Sequence, residues 1–357
     1  MEKYDVVLDS VTKRFGSETA VDGLSLNVPK GEYLCMLGPS GCGKTTTLRM
    51  ISGFLRPDQG NIYLNEELAN DIPPHQRSTS IVFQSFALFP HLNVQDNVAF
   101  GLKMRHIPKS ERRSKVDGML ERMGLTKMAT KRPEELSMGE RQRVALAKSL
   151  IIEPRVLLLD EPLSNIDVTL KNKILMDIRL IHDRLGLTFI HVTHDPEEAM
   201  ANADRILLMN KGKIEQLGRP GEIFDMPKNR FVAEFFQNSN IIDGVVERSQ
   251  GERIFVDNDL GRFEVFARQE KPPLDKKVSI VIRHDKVRLG TGKETENRVE
   301  GSVIGEEIVG AVITYVLRLK EEKLFKFQTH MSLATPQLQP EQKVTVVWDT
   351  KDAILLT

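Results

Sequence analysis

Cysteine is almost absent from this chain: two residues in 357, Cys35 and Cys42. So few, so close together, exclude a disulfide framework and point to a reducing compartment. Net charge is absent as well, with 50 Lys and Arg against 50 Asp and Glu. Bulk attraction to nucleic acid is therefore excluded, which leaves only a local basic patch, and no nucleic-acid partner is expected. No apolar run approaches the roughly 18 residues that suggest a membrane span. The opening stretch, MEKYDVVLDS, has no charged-then-apolar signal. The expectation is a soluble chain that does any work at a membrane through a partner. The remaining composition, 40% hydrophobic and 28% charged, is that of a globular protein long enough for two or three domains.

What is present is glycine, concentrated at one place. The apolar run YLCMLG leads into GPSGCGKTT, Gly38 to Thr46, and then into TLRMISGF. A strand turning into a helix explains glycines. It does not explain Lys44 followed by Thr45 and Thr46. The spacing G-x-x-x-x-G-K-T is that of a loop whose backbone N–H groups and helix N-terminus cradle phosphates. Gly38, Pro39, Ser40, Gly41, Cys42 and Gly43 would form the cradle, with Thr46 closing it. Lys44 would reach the β- and γ-phosphates, and the Thr45 hydroxyl would bind Mg²⁺. Cys42 has two readings, a spacer in the loop or a redox-responsive thiol.

Along the chain, residues 1–236 alternate short apolar runs with helical patterns, which predicts an α/β domain with a largely parallel core sheet. The strand candidates are YLCMLG, TSIVFQ, RVLLLDEP, TFIHVTH and RILLMNKGKI. FFQNSN reads as the join. Residues 240–357 carry only short alternating runs, such as RIFVD, FEVFA and VSIVIR, and predict a small all-β barrel-like domain. That region also repeats itself. Val278–Leu289 aligns with Val344–Leu355, and NIIDGVV from Asn240 parallels NRVEGSV from Asn297. Two related β units, intertwined or paired, account for this, as do two unrelated meanders of similar composition.

Two further motifs bear on chemistry. In RVLLLDEP, Asp160 and Glu161 follow four apolar residues and stand at the carboxyl end of a buried strand, where ligands of open α/β sheets bind. Asp160 can support Mg²⁺, and Glu161 can orient or deprotonate an attacking water. Alone, the pair could equally be a solvated strand end. In LSMGERQRVALAKSL, Ser137 and Glu140 form an S-x-x-E capping box opening an amphipathic helix. Capping does not require Gly139, nor Arg141 and Arg143 in turns where positive charge opposes the helix dipole. A helix N-terminus of this kind is a second anion site. One nucleotide uses both sites only if they belong to different chains or domains.

GPSGCGKTT, LSMGERQ, LLLDEP running into LSNID, and VTHD at 192–195, in that order, resemble the ATPase subunit of ATP-binding-cassette (ABC) transporters from Asp5 to about Phe236. The resemblance implies a P-loop ATPase fold, ATP and Mg²⁺, and a head-to-tail homodimer holding ATP between one phosphate loop and the other signature helix. It assigns roles by motif position. Phe15 stacks on the adenine, and Gln84 in VFQSFALFP touches Mg²⁺ and the water. Ser137 and Gly139 hold the opposing γ-phosphate. Asp167 lies across the dimer, and His194 senses the γ-phosphate. Phe15 could instead be a core aromatic. The signature departs from the common L-S-G-G-Q at Met138 and Glu140. A carboxylate there should weaken closure slightly unless Arg141 or Arg143 compensates.

The tail from NKGKIEQLG onward resembles importer ATPases with a TOBE/MOP-type β-domain. NSNIIDG and VWDTKDAILL are most similar to the spermidine/putrescine and ferric-ion group. Polyamine import is the leading expectation, with ferric-ion, sugar or other small-solute import, or a non-transport ABC ATPase, as alternatives. The implied partners are two membrane permease subunits and, indirectly, an extracytoplasmic solute-binding protein. The implied location is the cytoplasmic face of the inner (plasma) membrane. The segment Ser85 to Leu102, which carries the apolar patch Phe86, Leu88, Phe89 and Leu92, is expected to dock the permease; internal packing between helices is the alternative.

Overall fold

The computed structural model describes residues 3–163, 168–267, 272–291, 297–332 and 337–357. The chain divides into two compact units, Met1–Ile223 and Phe224–Thr357. Each has its own core. The join expected at FFQNSN differs from this boundary because residues 224–236 pack with the β unit. Ala233, on the helix Arg230–Phe235, lies against Val281 and Leu356. Arg283 pairs with Asp225 and sits 4.0 Å over the Phe224 ring.

The first unit opens with β1 (Tyr4–Phe15) and β2 (Glu18–Pro29). Both mix buried and exposed residues, as suits a sheet with one face on a core, but β1 alternates irregularly because its pairing with β2 shifts register. β3 (Tyr33–Leu37) is buried at every position and turns through the glycine loop into α1 (Lys44–Ile51). β4 (Gln59–Leu64) and β5 (Glu67–Leu68) complete an antiparallel sheet of order β2-β1-β4-β5. β6 (Thr79–Val82) is followed by α2 (Val94–Met104), α3 (Lys109–Arg122) and α4 (Met138–Leu150). Then come β7 (Val156–Asp160), α5 (Val168–Leu185), β8 (Thr188–Val192), α6 (Pro196–Asn202), β9 (Arg205–Asn210) and β10 (Lys213–Gly218).

The second sheet runs β10-β9-β3-β8-β7-β6, parallel throughout except for β10 on β9. All five strand candidates lie in it. Continuous apolar runs build its centre because helices and the first sheet cover it; one core joins Val6 and Leu8 to Met36, Leu48, Leu158 and Ile190. Since β3, β7 and β8 are parallel neighbours, Leu37, Asp160 and Val192 end at one edge.

The second unit consists of two five-stranded antiparallel sheets. β11 (Ser239–Gln250), β12 (Arg253–Asn258), β13 (Gly261–Phe266) and β14 (Lys277–Arg283) make the first repeat. β15 (Arg288–Leu289) leaves it for the other sheet. β16 (Asn297–Val309), β17 (Val312–Arg318), β18 (Leu324–His330) and β19 (Lys343–Trp348) make the second repeat, and β20 (Ala353–Leu356) returns to pair with β14. The repeat seen in sequence holds in register. Asn240 faces Ile282 and Gly244 faces Val278, as Asn297 faces Trp348 and Gly301 faces Val344.

The repeats are intertwined. The buried Asn240 amide exchanges two hydrogen bonds, both 2.7 Å, with the backbone of Lys326 in the second repeat. Asn297 does the same with Glu264 in the first, at 2.6 and 2.7 Å. The single tryptophan, Trp348, stacks between Phe263 of one repeat and Phe325 of the other. Among the described residues no helix is long and apolar enough to cross a membrane.

Candidate nucleotide-binding and hydrolysis site

The phosphate loop is held by close contacts that leave no room for a side chain at Gly38 or Gly43. A Cβ on Gly38, at φ +151°, would lie 2.3 Å from the Met209 carbonyl oxygen, and one on Gly43, at φ +106°, 2.4 Å from that of Ala20. The Cys42 carbonyl accepts from Gly212 N at 3.0 Å, which anchors the loop to the β9–β10 turn. Cys42 is buried, which fits the spacer reading. Arg77, unremarkable in sequence, is a buried guanidinium donating to the carbonyls of Met50, Ile51, Ala69 and Ile72. It satisfies the C-terminal end of the short helix that the loop opens.

Lys44 is 5% exposed, and its ammonium donates to the Gly38 and Pro39 carbonyls at 2.7 and 2.9 Å. The next hydroxyl, Thr45 Oγ1, donates to Asp160 Oδ1 at 3.2 Å. Burial raises the Asp160 carboxyl above its ordinary range, and the Thr45 hydrogen bond acts against that. A cation at this point would relieve the desolvation. A hydroxyl beside a buried carboxylate is a hard oxygen donor pair, the set that Mg²⁺ takes. The residues present therefore fit a magnesium-bound polyphosphate.

Glu161 follows Asp160 in a left-handed conformation, φ +45°, its N–H donating to the Val192 carbonyl at 3.1 Å. That residue conformation is strained for a side chain of its kind, and such strain concentrates at functional sites. It brings the Glu161 carboxylate to 3.5 Å from Nδ1 of His194, whose side chain is 56% exposed. The backbone around His194 is fixed on both sides. Thr193 N donates to the Met36 carbonyl at 3.1 Å, and Asp195 N to the Thr193 hydroxyl at 3.0 Å. Lys44, Thr45, Asp160, Glu161 and His194 thus gather at the carboxyl edge of β3, β7 and β8.

Gln84 is exposed just beyond β6, the neighbour of β7. Past it, Phe86 and Ala87 are both left-handed, and Lys148 of α4 donates to the Ala87 carbonyl at 2.6 Å while its ammonium lies 4.0 Å over the Phe89 ring. No sequence pattern announced that tie. Phe15 is 49% exposed, so it is not a core aromatic. Asp167 lies outside the described residues.

Ser137 caps α4 as the S-x-x-E pattern predicts. The Glu140 carboxylate accepts from Ser137 N at 2.8 Å and from the Ser137 hydroxyl at 2.9 Å. These bonds, the backbone one first, hold the Glu140 carboxyl below its usual range. Ser137 is exposed and Gly139 buried. Arg141 donates to the Leu136 carbonyl at 3.1 Å, and Arg143 pairs with Asp177 at 3.5 Å. No hydrogen bond or ion pair joins the α4 N-terminus to the phosphate loop among the described residues.

Known proteins match this chain in sequence over nearly its whole length. A protein of Rubrobacter xylanophilus named "Spermidine/putrescine import ATP-binding protein PotA" is 40% identical over 353 residues, 98% of this chain and 93% of that protein. The family described as "ABC transporter" matches residues 21–164. The chain belongs to the ABC transporter ATPase family. A second family, "TOBE domain", matches residues 280–356. A Fusobacterium nucleatum protein of the same PotA name is 37% identical over 369 residues, covering 100% of this chain and 98% of that protein.

Among solved ABC ATPases, cbiO1 from Clostridium perfringens, described as part of the complex cbiONQ, is 30% identical with a TM-score of 0.58. It covers 63% of this chain and 92% of its own. The dimeric cassette MJ0796, in a post-hydrolysis state bound to ADP and Pi, is 30% identical with a TM-score of 0.53. It covers 60% of this chain and 98% of its own. This ABC ATPase accordingly works on ATP with Mg²⁺.

Proposed function

We propose that this chain is the ATP-hydrolysing subunit of a polyamine importer of the spermidine/putrescine type. In this reading it works as a head-to-tail homodimer on two membrane permease subunits, at the cytoplasmic face of the inner membrane. An extracytoplasmic binding protein delivers the solute. The observation that carries the solute class is the name shared by relatives that match 98% and 100% of the chain.

The chemistry follows from the site. Lys44 and the loop from Gly38 to Thr46 bind the phosphates, and Phe15 offers an exposed aromatic face to the adenine. Thr45, Asp160 and Gln84 would hold Mg²⁺, which neutralises phosphate charge when bound. Glu161 accepts a proton from the attacking water, and His194, 3.5 Å away, positions that carboxylate and meets the γ-phosphate. Ser137 and Gly139 of the opposing subunit close the site, with Asp167 at the seam.

Two measurements test this reading. Glu161→Gln should lower hydrolysis by at least ~100-fold, within the range for loss of a general base, while ATP binding survives. Hydrolysis at the parent rate would remove Glu161 as the base. With the chain reconstituted with its permeases, spermidine-loaded binding protein should stimulate hydrolysis. Stimulation by ferric ion or a sugar in its place would reassign the solute.

A further inference from the structure

Behind His194 lies a charged cluster that the motifs reach only at Asp195, the last residue of VTHD. The Lys171 ammonium, in the first turns of α5, pairs with Asp195 and, at 2.7 Å, with Glu198. Asp195 is the residue after His194 and caps α6. Its carboxylate is committed on both oxygens: Oδ1 accepts from Glu197 N at 2.8 Å, and Oδ2 takes Lys171. Two fixed oxygens fix the side chain and, with it, the backbone that carries His194. Glu198 is 4% exposed, and its other oxygen lies 3.6 Å from Nε2 of His191. His191 is hydrogen-bonded to the Tyr33 hydroxyl at 3.1 Å, and burial pushes its pKa down to about 4. The histidine is therefore neutral near pH 7, which leaves Lys171 as the cation balancing Glu198 among the described residues.

We infer that Lys171 is a positioning residue for His194, acting through Asp195 and tying the start of α5 to the loop that carries the histidine. The inference rests on the role proposed above for His194. The histidine side chain is more than half exposed, so its placement depends on its backbone, and α5 reaches that backbone through this ion pair. Burial works against the charge on Lys171. The hydrogen bonds to Asp195 and then Glu198 outweigh it and raise its pKa, so the ammonium is charged at any working pH. A displacement of about 1 Å at a reacting group can cost on the order of 100-fold in rate.

The test is a double-mutant cycle on the full chain, reading kcat and ATP affinity separately. Lys171→Met should lower kcat by about ten- to a hundredfold, with the Kd for ATP nearly unchanged. Lys171→Arg should restore most of the rate. Because Lys171→Met strands the buried Glu198 charge, Lys171→Met with Glu198→Gln supplies a second variant that folds without that penalty; it should show the same loss of kcat. In a His194→Ala background neither change should lower the rate further, since both act through the histidine. Losses that multiply across the two backgrounds would overturn the inference, as would parent-level kcat in both Lys171→Met variants beside a slow His194→Ala. If His194→Ala itself hydrolyses ATP at the parent rate, the role of His194 fails first, visibly in that single variant, and the positioning inference falls with it.

Discussion

Glu140→Gln should tighten ATP-driven closure of the dimer. In the family's common signature a neutral residue stands at this position; here a carboxylate accepts both the N–H and the hydroxyl of Ser137, the donors a γ-phosphate would need. A hydrogen bond to an ionised acceptor contributes about 1.5–3 kcal/mol, against about 0.5–1.5 for a neutral one. Releasing the Ser137 hydroxyl alone from a neutral amide therefore costs roughly 1 kcal/mol less per site than releasing it from the carboxylate, a factor of about five. With two sites per dimer the equilibrium should shift by about 25-fold if they add. Neither Arg141 nor Arg143 is hydrogen-bonded to Glu140: the first donates to the Leu136 carbonyl and the second pairs with Asp177, so the Arg143 charge acts on Glu140 less than the Ser137 bonds do.

The opposing term acts on the fold instead of on closure. Glutamine keeps the capping box, and losing a negative charge at the helix N-terminus costs about 0.3–1 kcal/mol. Melting temperature should fall slightly while closure improves. Sedimentation velocity against ATP concentration, in a Glu161→Gln background that stops hydrolysis, measures it. An ATP requirement for dimerisation that is unchanged or higher would refute the reasoning.

Charged substitutions at Phe86 and Leu88, both half-buried, should abolish assembly with the permease while the isolated subunit still folds and binds ATP; normal transport would remove the docking role. Acid should destabilise the chain partly through His191. The unfolded chain binds a proton near pH 6.5 but the folded one only at about 4. Stability is thus full above the unfolded value and falls as pH drops toward 4, by on the order of 3 kcal/mol. His191→Gln should flatten that slope in denaturant titrations at pH 7 and pH 5, and an identical slope would show the proton is taken up elsewhere. His284, also held at about 4 by burial, keeps some acid sensitivity in the other unit.

The core sheet was legible because its strands are buried on both faces and so read as unbroken apolar runs: YLCML, VLLLD and TFIHV are each fully buried. The phosphate loop was legible because glycine, lysine and threonine are tied to one another by spacing. Less visible was the antiparallel sheet of β1, β2, β4 and β5, whose half-buried alternation does not reveal its partner. The ties made by Arg77, Lys148 and Lys171 could not be read at all. Each joins residues far apart in sequence, and a lone arginine or lysine in a helix or strand approach looks like solvated surface until its carbonyl or carboxylate partner is placed beside it.

The exchange of β15 and β20 between the two repeats sets an order for synthesis. The first sheet cannot receive its last strand until residues 353–356 exist, although its other four strands were made some 70 or more residues earlier. The unit that holds the phosphate loop ends at Ile223 and has a core of its own, and it can complete that core while the β unit is still being translated. Until then the edge of β14 stands open, a template for the same strand of another nascent chain. A ribosome that stalls before residue 353 leaves the folded first unit attached to a sheet with one exposed side.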